Sequence, residues 1–229
     1  MFAKFAWPIV LLLAPSSALA GAPTVGRAVP LPIQLTEPLV VRDFGQNLEP
    51  ACLPIYLNES ASTNYYAPVG VDVELADDLH TTLTGDQVLC GFDLAYYNPG
   101  EGLVNAVVTF YAGYPNDVDR GAVLAGPYPI HGLPTGINAF HIEVQGGLLQ
   151  ANLWLGVTFS DGETGLLTFG SPTLGSSHDI VWYSPPVFPS GFAYNFGGTP
   201  VADFFLGVHT SPATPARPAT WGSLKAQYR

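Results

Sequence analysis

The string Ser176-Ser177-His178-Asp179 holds the residue types of a nucleophile, a base and an orienting acid within four positions. A hydrolytic triad needs those groups to converge through space, and neighbours in a strand or tight loop point to opposite sides, so this spacing is not a triad. It reads as a polar turn leading into the strand IVWY at 180–183. The sequence contains no GxSxG nucleophile elbow, no HExxH zinc motif and no Gly-rich phosphate loop. Five histidines stand at 80, 131, 141, 178 and 209. No two of them have the i,i+2 or i,i+4 spacing of a metal pair, so the spacing points to no zinc site.

An acidic cluster, Asp72, Glu74, Asp77 and Asp78, is the set best suited to a metal. Calcium takes several oxygen ligands, and closely spaced carboxylates at a strand end with backbone carbonyls supply them. The competing reading is a solvated acidic loop. Asp117 and Asp119 form a second acidic site, but Arg120 and Gly121 break the EF-hand pattern. Glycosidase chemistry needs two carboxylates across a cleft, and among 18 acidic residues no pair stands out. No cofactor other than calcium is expected. Tyr65, Tyr66, Tyr96, Tyr97, Tyr111, Tyr114, Trp182 and Tyr183 sit at strand ends or beside turns, where rings can stack on sugars. Of each adjacent pair, one ring is expected in the core and one outside. Asn58-Glu59-Ser60 is an N-glycosylation sequon.

The whole chain has 229 residues and a net charge of −11, with only seven basic residues, too few for the clustered footprint that nucleic acid or anionic lipid requires. Residues 1–20 read as a secretory signal peptide: Lys4, the apolar run WPIVLLLA and Ala18-Leu19-Ala20 as the cleavage site. After its removal no transmembrane anchor is expected. Cys52 and Cys90 are the only cysteines, and an even pair in an exported chain is expected to form a disulfide, the alternative being two reduced thiols.

Period-two alternation is the dominant local pattern. In GVDVELAD, Val71, Val73 and Leu75 share a face, with Asp72, Glu74 and Asp77 at the wet rim. In QVLCGFDLAYY, Val88, Cys90, Phe92, Leu94 and Tyr96 share a face, which puts Cys90 on the core side; Phe140, Ile142 and Val144 do so in FHIEVQ. The apolar stretches at 103–111 and 151–159 read as strands buried on both faces. Gly, Pro, Asn and Asp clusters punctuate these runs. The expected fold is an all-β antiparallel sandwich of jelly-roll type with about eight to ten strands. It spans 38–210, after an extended Pro-rich segment at 21–37 and before a linker and basic tail at 211–229.

The segments ELADDLHTTL, VLCGFDLAYY, VVTFYAG, VLAGP, LWLGVTFS and GSSHDIVWY, in that order from about 71 to 209, resemble the secreted bacterial domains of PEP-CTERM and choice-of-anchor surface proteins. The resemblance implies a β-sandwich exported to the envelope or exterior and brings no active site. The chain departs from the pattern in lacking the Pro-Glu-Pro signal, and it ends in TWGSLKAQYR, which is similar to short sorting tails of exported bacterial proteins and equally suits a terminus packed on the acidic domain. The expected role is a non-catalytic surface protein, structural or binding an extracellular glycan or surface protein. The alternatives are a calcium-dependent carbohydrate-binding module and a polysaccharide hydrolase.

Overall fold

The computed structural model describes residues 28–30, 41–43, 52–59, 64–68, 70–85, 87–113, 120–144, 146–168, 170–184, 191–195 and 203–212. The signal-peptide reading, most of the Pro-rich segment, Tyr114, Asp117, Asp119 and the basic tail lie outside them. In chain order the strands are β1 (Ala28–Pro30), β2 (Val41–Asp43), β3 (Leu53–Leu57), β4 (Asn64–Tyr66), β5 (Glu74–His80), β6 (Gln87–Asn98), β7 (Val104–Gly113) and β8 (Arg120–Leu133). They continue with β9 (Gly136–Glu143), β10 (Leu148–Leu149), β11 (Asn152–Phe159), β12 (Gly165–Thr168), β13 (Ile180–Ser184), β14 (Phe192–Asn195) and β15 (Leu206–Pro212). Among the described residues there is no helix, and therefore none long and apolar enough to cross a membrane.

The strands form two sheets. The first runs β1-β4-β12-β6-β15-β3, with β9 and β10 also on β6 and β2 on β9; the second runs β14-β13-β5-β11-β7-β8. Every pairing is antiparallel except β2 with β9. The all-β sandwich expected from the alternation is present, with more strands than the eight to ten the turn spacing suggested. The N-terminal segment adds β1, and β15 runs two residues past the expected end of the domain.

One apolar core lies between the sheets. Phe92, Leu94, Tyr96, Leu206 and Val208 of the first sheet and Leu75, Val108, Phe110, Leu155 and Val157 of the second are all buried in it. Phe92 meets Phe110 edge-on at 5.7 Å between ring centroids, and Tyr96 meets Phe159 at 6.3 Å. Burial contributes about 1.5–3 kcal/mol for each such side chain, enough to hold the two sheets in register. The paired tyrosines divide as the pleat requires: Tyr66 and Tyr96 are buried in the core, while Tyr65 and Tyr97 pack edge-on at 4.8 Å on the far face of their sheet.

Four local expectations are corrected. β5 begins at Glu74, three residues later than the alternation from Val71 implies; Val71 is 55% exposed, and Asp72 takes the turn with φ 59°. Asp77, expected at the rim, is in mid-strand on the core side and fully buried. Cys90 does not share the face of Phe92: Gly91 lies opposite His209 and Leu89 opposite Thr210, so Cys90 is the extra residue of a β-bulge. The bulge turns Leu89 into the core and leaves Cys90 half-buried. β7 is also not buried on both faces, since Asn105 and Val107 are exposed, whereas β11 is buried almost throughout. Finally, Asn58 is fully buried, which removes it as a glycan acceptor in the folded chain.

The Cys52–Cys90 disulfide is formed, with Cα atoms 6.0 Å apart and closing 38 residues of chain. Closing a loop of that length restricts the unfolded chain by about 4 kcal/mol. Replacing both cysteines by alanine is expected to lower Tm by roughly 8–15 °C, read by calorimetry under non-reducing conditions. An unchanged Tm would show that the bridge contributes nothing to stability.

Candidate metal centre

Alternation along β5 sends Leu75, Asp77 and Leu79 inward and Glu74, Ala76, Asp78 and His80 outward. Neighbouring Asp77 and Asp78 are thus aimed at opposite sides of one sheet. The chain before β13 brings them to a common partner. Ser176 pairs with His80 by backbone hydrogen bonds of 2.8 and 2.9 Å, and Val181 lies opposite Asp77. Five steps along this chain therefore match three along β5, and the surplus arches Ser177, His178 and Asp179 over the end of the strand. The Ser177 hydroxyl then lies 3.2 Å from Asp77 Oδ1, 3.3 Å from Asp78 Oδ1 and 3.1 Å from Asp203 Oδ1.

On the outer side, three ligand atoms meet. Asp78 Oδ2 is 3.0 Å from His178 Nδ1 and 3.2 Å from His80 Nε2, and the two ring nitrogens are 3.1 Å apart. Such a triangle matches one face of the ligand shell of an ion about 2 Å from each atom. His80 Nδ1 donates to Asn152 Oδ1 at 3.0 Å, which leaves the Nε2 lone pair aimed into the triangle. The His178 backbone N–H donates to Asp78 Oδ2 at 3.0 Å and holds the carboxylate in place. Asp78 is 1% exposed, His80 21% and His178 59%, so the face opens to solvent past the His178 ring.

On the inner side the groups are oxygens. Phe204 N–H donates to Asp77 Oδ2 at 3.0 Å, and Ser177 Oγ lies 2.9 Å from the His178 carbonyl. Burial, together with the charges of Asp78 and Asp203, pushes the Asp77 carboxyl well above the usual range. Burial pushes Asp203 up to about 7; the Ser177 hydrogen bond opposes this, and the charges of Asp78 and Asp179 add to it. The Tyr56 phenol, fully buried, is pushed up by burial and then by Asp77, Asp203 and Asp78.

The four acids expected to share calcium do not converge. Asp72 is in the exposed turn. Glu74 accepts from the Tyr111 hydroxyl at 2.6 Å and pairs with Arg120, whose guanidinium lies 4.3 Å from the Tyr111 ring centre. A Cβ at Gly156 would collide with the Glu74 carboxylate, so this ion pair depends on glycine beneath it. Only Asp77 and Asp78 meet, through Ser177. The polar turn expected at 176–179 is present but folds back onto β5 as part of the site.

Histidines that look scattered in sequence pair in space. A second cluster joins Asp93 of β6, His141 of β9 and His209 of β15 on the outer face of the first sheet. Here the separations, Asp93 Oδ1 to His141 Nδ1 at 2.7 Å and Asp93 Oδ2 to His209 Nε2 at 2.5 Å, are those of hydrogen bonds in which each imidazole donates. Gly207 makes room for them, because a Cβ there would collide with Asp93 Oδ2. Burial pushes Asp93 up, but the hydrogen bonds and charges of His209 and His141 outweigh it and hold it below the usual carboxylate range. Away from both clusters, a groove at the β8–β9 edge is lined by Leu103, Ile130, Leu133 and Phe140 together with His131, Asn138 and Glu143. No protein-family model, curated protein or solved structure matches the chain.

One signal for the first site was present in the sequence: Asp78-x-His80 on a strand places both on one face. Pairing histidine only with histidine passes over it.

The two clusters give opposite pH slopes. A carboxyl raised by the fold stabilises below its ordinary value, about 3.8, and loses that contribution as pH rises through its folded value; a lowered one acts in reverse. In chelator, wild-type protein is expected to lose stability from about pH 4 through about 7, and Asp203→Asn to flatten that decline. Asp93→Asn should lower Tm by several degrees at neutral pH and weaken the loss seen when wild type is acidified below about pH 4. Urea midpoints across the pH range test both, and parallel curves for all three proteins would refute the assignments.

Proposed function

We propose that the chain is an exported β-sandwich of the cell exterior that binds a divalent transition-metal ion through Asp78, His80 and His178 and uses it to bind an extracellular partner. The observation that carries the reading is the Asp78–His80–His178 triangle, with edges of 3.0–3.2 Å and one imidazole oriented from behind by Asn152. Two nitrogens and one carboxylate oxygen suit zinc and its first-row neighbours better than calcium, which prefers oxygen throughout. Three protein ligands leave a position open on the solvent side, where a glycan hydroxyl or a carboxylate of a surface protein can complete the shell. The leader, the disulfide and the acidic charge support an extracellular setting. The resemblance to choice-of-anchor surface domains supports the non-catalytic role.

A second reading, a metal-assisted hydrolase acting on polysaccharide, is favoured by one feature: a hydroxyl and a carboxyl, Ser177 and Asp203, lie 3.1 Å apart on the inner side of Asp78. It requires turnover, measured as reducing ends released from a polysaccharide panel with zinc present.

Dialysis of the purified chain against zinc or cobalt, followed by elemental analysis, is expected to leave one ion per triangle. The bound ion should raise Tm by roughly 5–10 °C at 100 times its Kd. His80→Ala and His178→Ala should each weaken binding by about 100-fold or more, while His141→Ala leaves it unchanged. The visible spectrum of the cobalt form reports whether the shell is four- or six-coordinate. Absence of stoichiometric binding, or equal loss in His141→Ala, would refute the reading.

A further inference from the structure

We propose that Asp78 is a bridging carboxylate, and that its inward oxygen, with Asp77, Asp203, Ser177 and the His178 carbonyl, forms a second site for a hard, calcium-class cation. The inference extends the metal reading above, with which it shares Asp78 and, through its backbone carbonyl, His178. Ser177 Oγ has four oxygens around it: Asp77 Oδ1 at 3.2 Å, Asp78 Oδ1 at 3.3 Å, Asp203 Oδ1 at 3.1 Å and the His178 carbonyl at 2.9 Å. A hydroxyl has one proton to donate, so it satisfies one of these acceptors. Asp78 Oδ1 also takes the His178 N–H at 3.3 Å, and the remaining carboxylate oxygens are satisfied either by a proton of their own or by a cation. Arg120 is bound to Glu74 and does not serve these oxygens. A cation answers this arrangement, since oxygens about 3 Å apart are neighbours in the shell of an ion that takes ligands at 2.3–2.6 Å.

The Tyr56 hydroxyl is an independent pointer. The side chain is fully buried on β3, across the core from β5, and its oxygen makes no hydrogen bond. The charges of Asp77, Asp203 and Asp78 raise it and Ser177 is close enough to lower it, which places the phenol beside the same oxygen cluster. A buried hydroxyl left without a partner is unfavourable, and a cation or its bound water would supply what it lacks. Asp77 is already positioned for a ligand: Phe204 N–H occupies Oδ2, leaving Oδ1 turned to the cluster. The two carboxylate oxygens of Asp78 thus face two chemistries, imidazole nitrogen outside and oxygen inside.

The test is terbium luminescence on the full chain, with calcium as competitor and zinc binding measured in parallel by dialysis. Wild type should show saturable terbium emission that calcium displaces. Asp203→Asn and Ser177→Ala should weaken terbium and calcium at least 10-fold while retaining zinc. His80→Ala should lose zinc and retain terbium, and Asp78→Asn should lose both. Tm in chelator, with Asp93→Asn as a control for general destabilisation, identifies any variant whose loss comes from unfolding. If calcium does not displace terbium, or Asp203→Asn binds terbium like wild type, the inner site is a hydrogen-bonded acid cluster and the proposal is wrong. Zinc binding in the wild type decides the outer site separately.

Discussion

Two adjacent aspartates in a β-strand cannot act on one partner unless something else crosses the sheet to meet them. Alternation sends Asp77 into the core and Asp78 to the outer face of the sheet, although both are buried. The surplus residues between Ser176 and Val181 overcome this by lifting Ser177 and His178 over the strand end. Everything in the candidate centre follows from that arch. It supplies the hydroxyl that touches both carboxylates, the backbone N–H that fixes Asp78 and one of the two imidazoles. A bulge near a sheet end that re-aims side chains is a common setting for a functional site.

The same logic organises the outer faces of both sheets, where polar side chains lie flat and need space beneath them. Glu74 lies over Gly156 and Asp93 over Gly207. On the second sheet the Glu74–Arg120 pair shares its face with Ala76, Trp154 and Trp182, and Asp78 and His80 continue the row. Arg120 thereby neutralises one acid and leaves the far end of the row to the imidazoles. On the first sheet, Asp93 has an imidazole on each oxygen and is satisfied within the protein. The two Asp-His-His clusters are therefore chemically different although their composition is the same. In one, each carboxylate oxygen takes a separate proton; in the other, a single oxygen and two nitrogens face one point.

Much of the fold was legible in the chain. Phe140, Ile142 and Val144 share the face that alternation assigns them, the Tyr65–Tyr66 and Tyr96–Tyr97 pairs split as the pleat demands, and Cys52 joins Cys90. The misreadings had two sources. The bulge at Cys90 broke the period of two and moved Leu89 inward, whereas Asp77 keeps the parity of Val73 and Leu75 and lies in the core because β5 runs past it to His80 rather than ending there.

The sequence by itself determined the class of fold, the acidic character, the pairing of its two cysteines and which residues had metal-ligating chemistry at all. Those properties are local: alternation, turn chemistry and composition act within a few residues. Only the tertiary structure decided that His178 meets His80 across 98 positions, that His209 meets His141, and that Asp203 joins Asp77. Those meetings depend on cross-strand register and on the surplus residues of one arch, and register is set by how the whole core packs rather than by the spacing of any one segment.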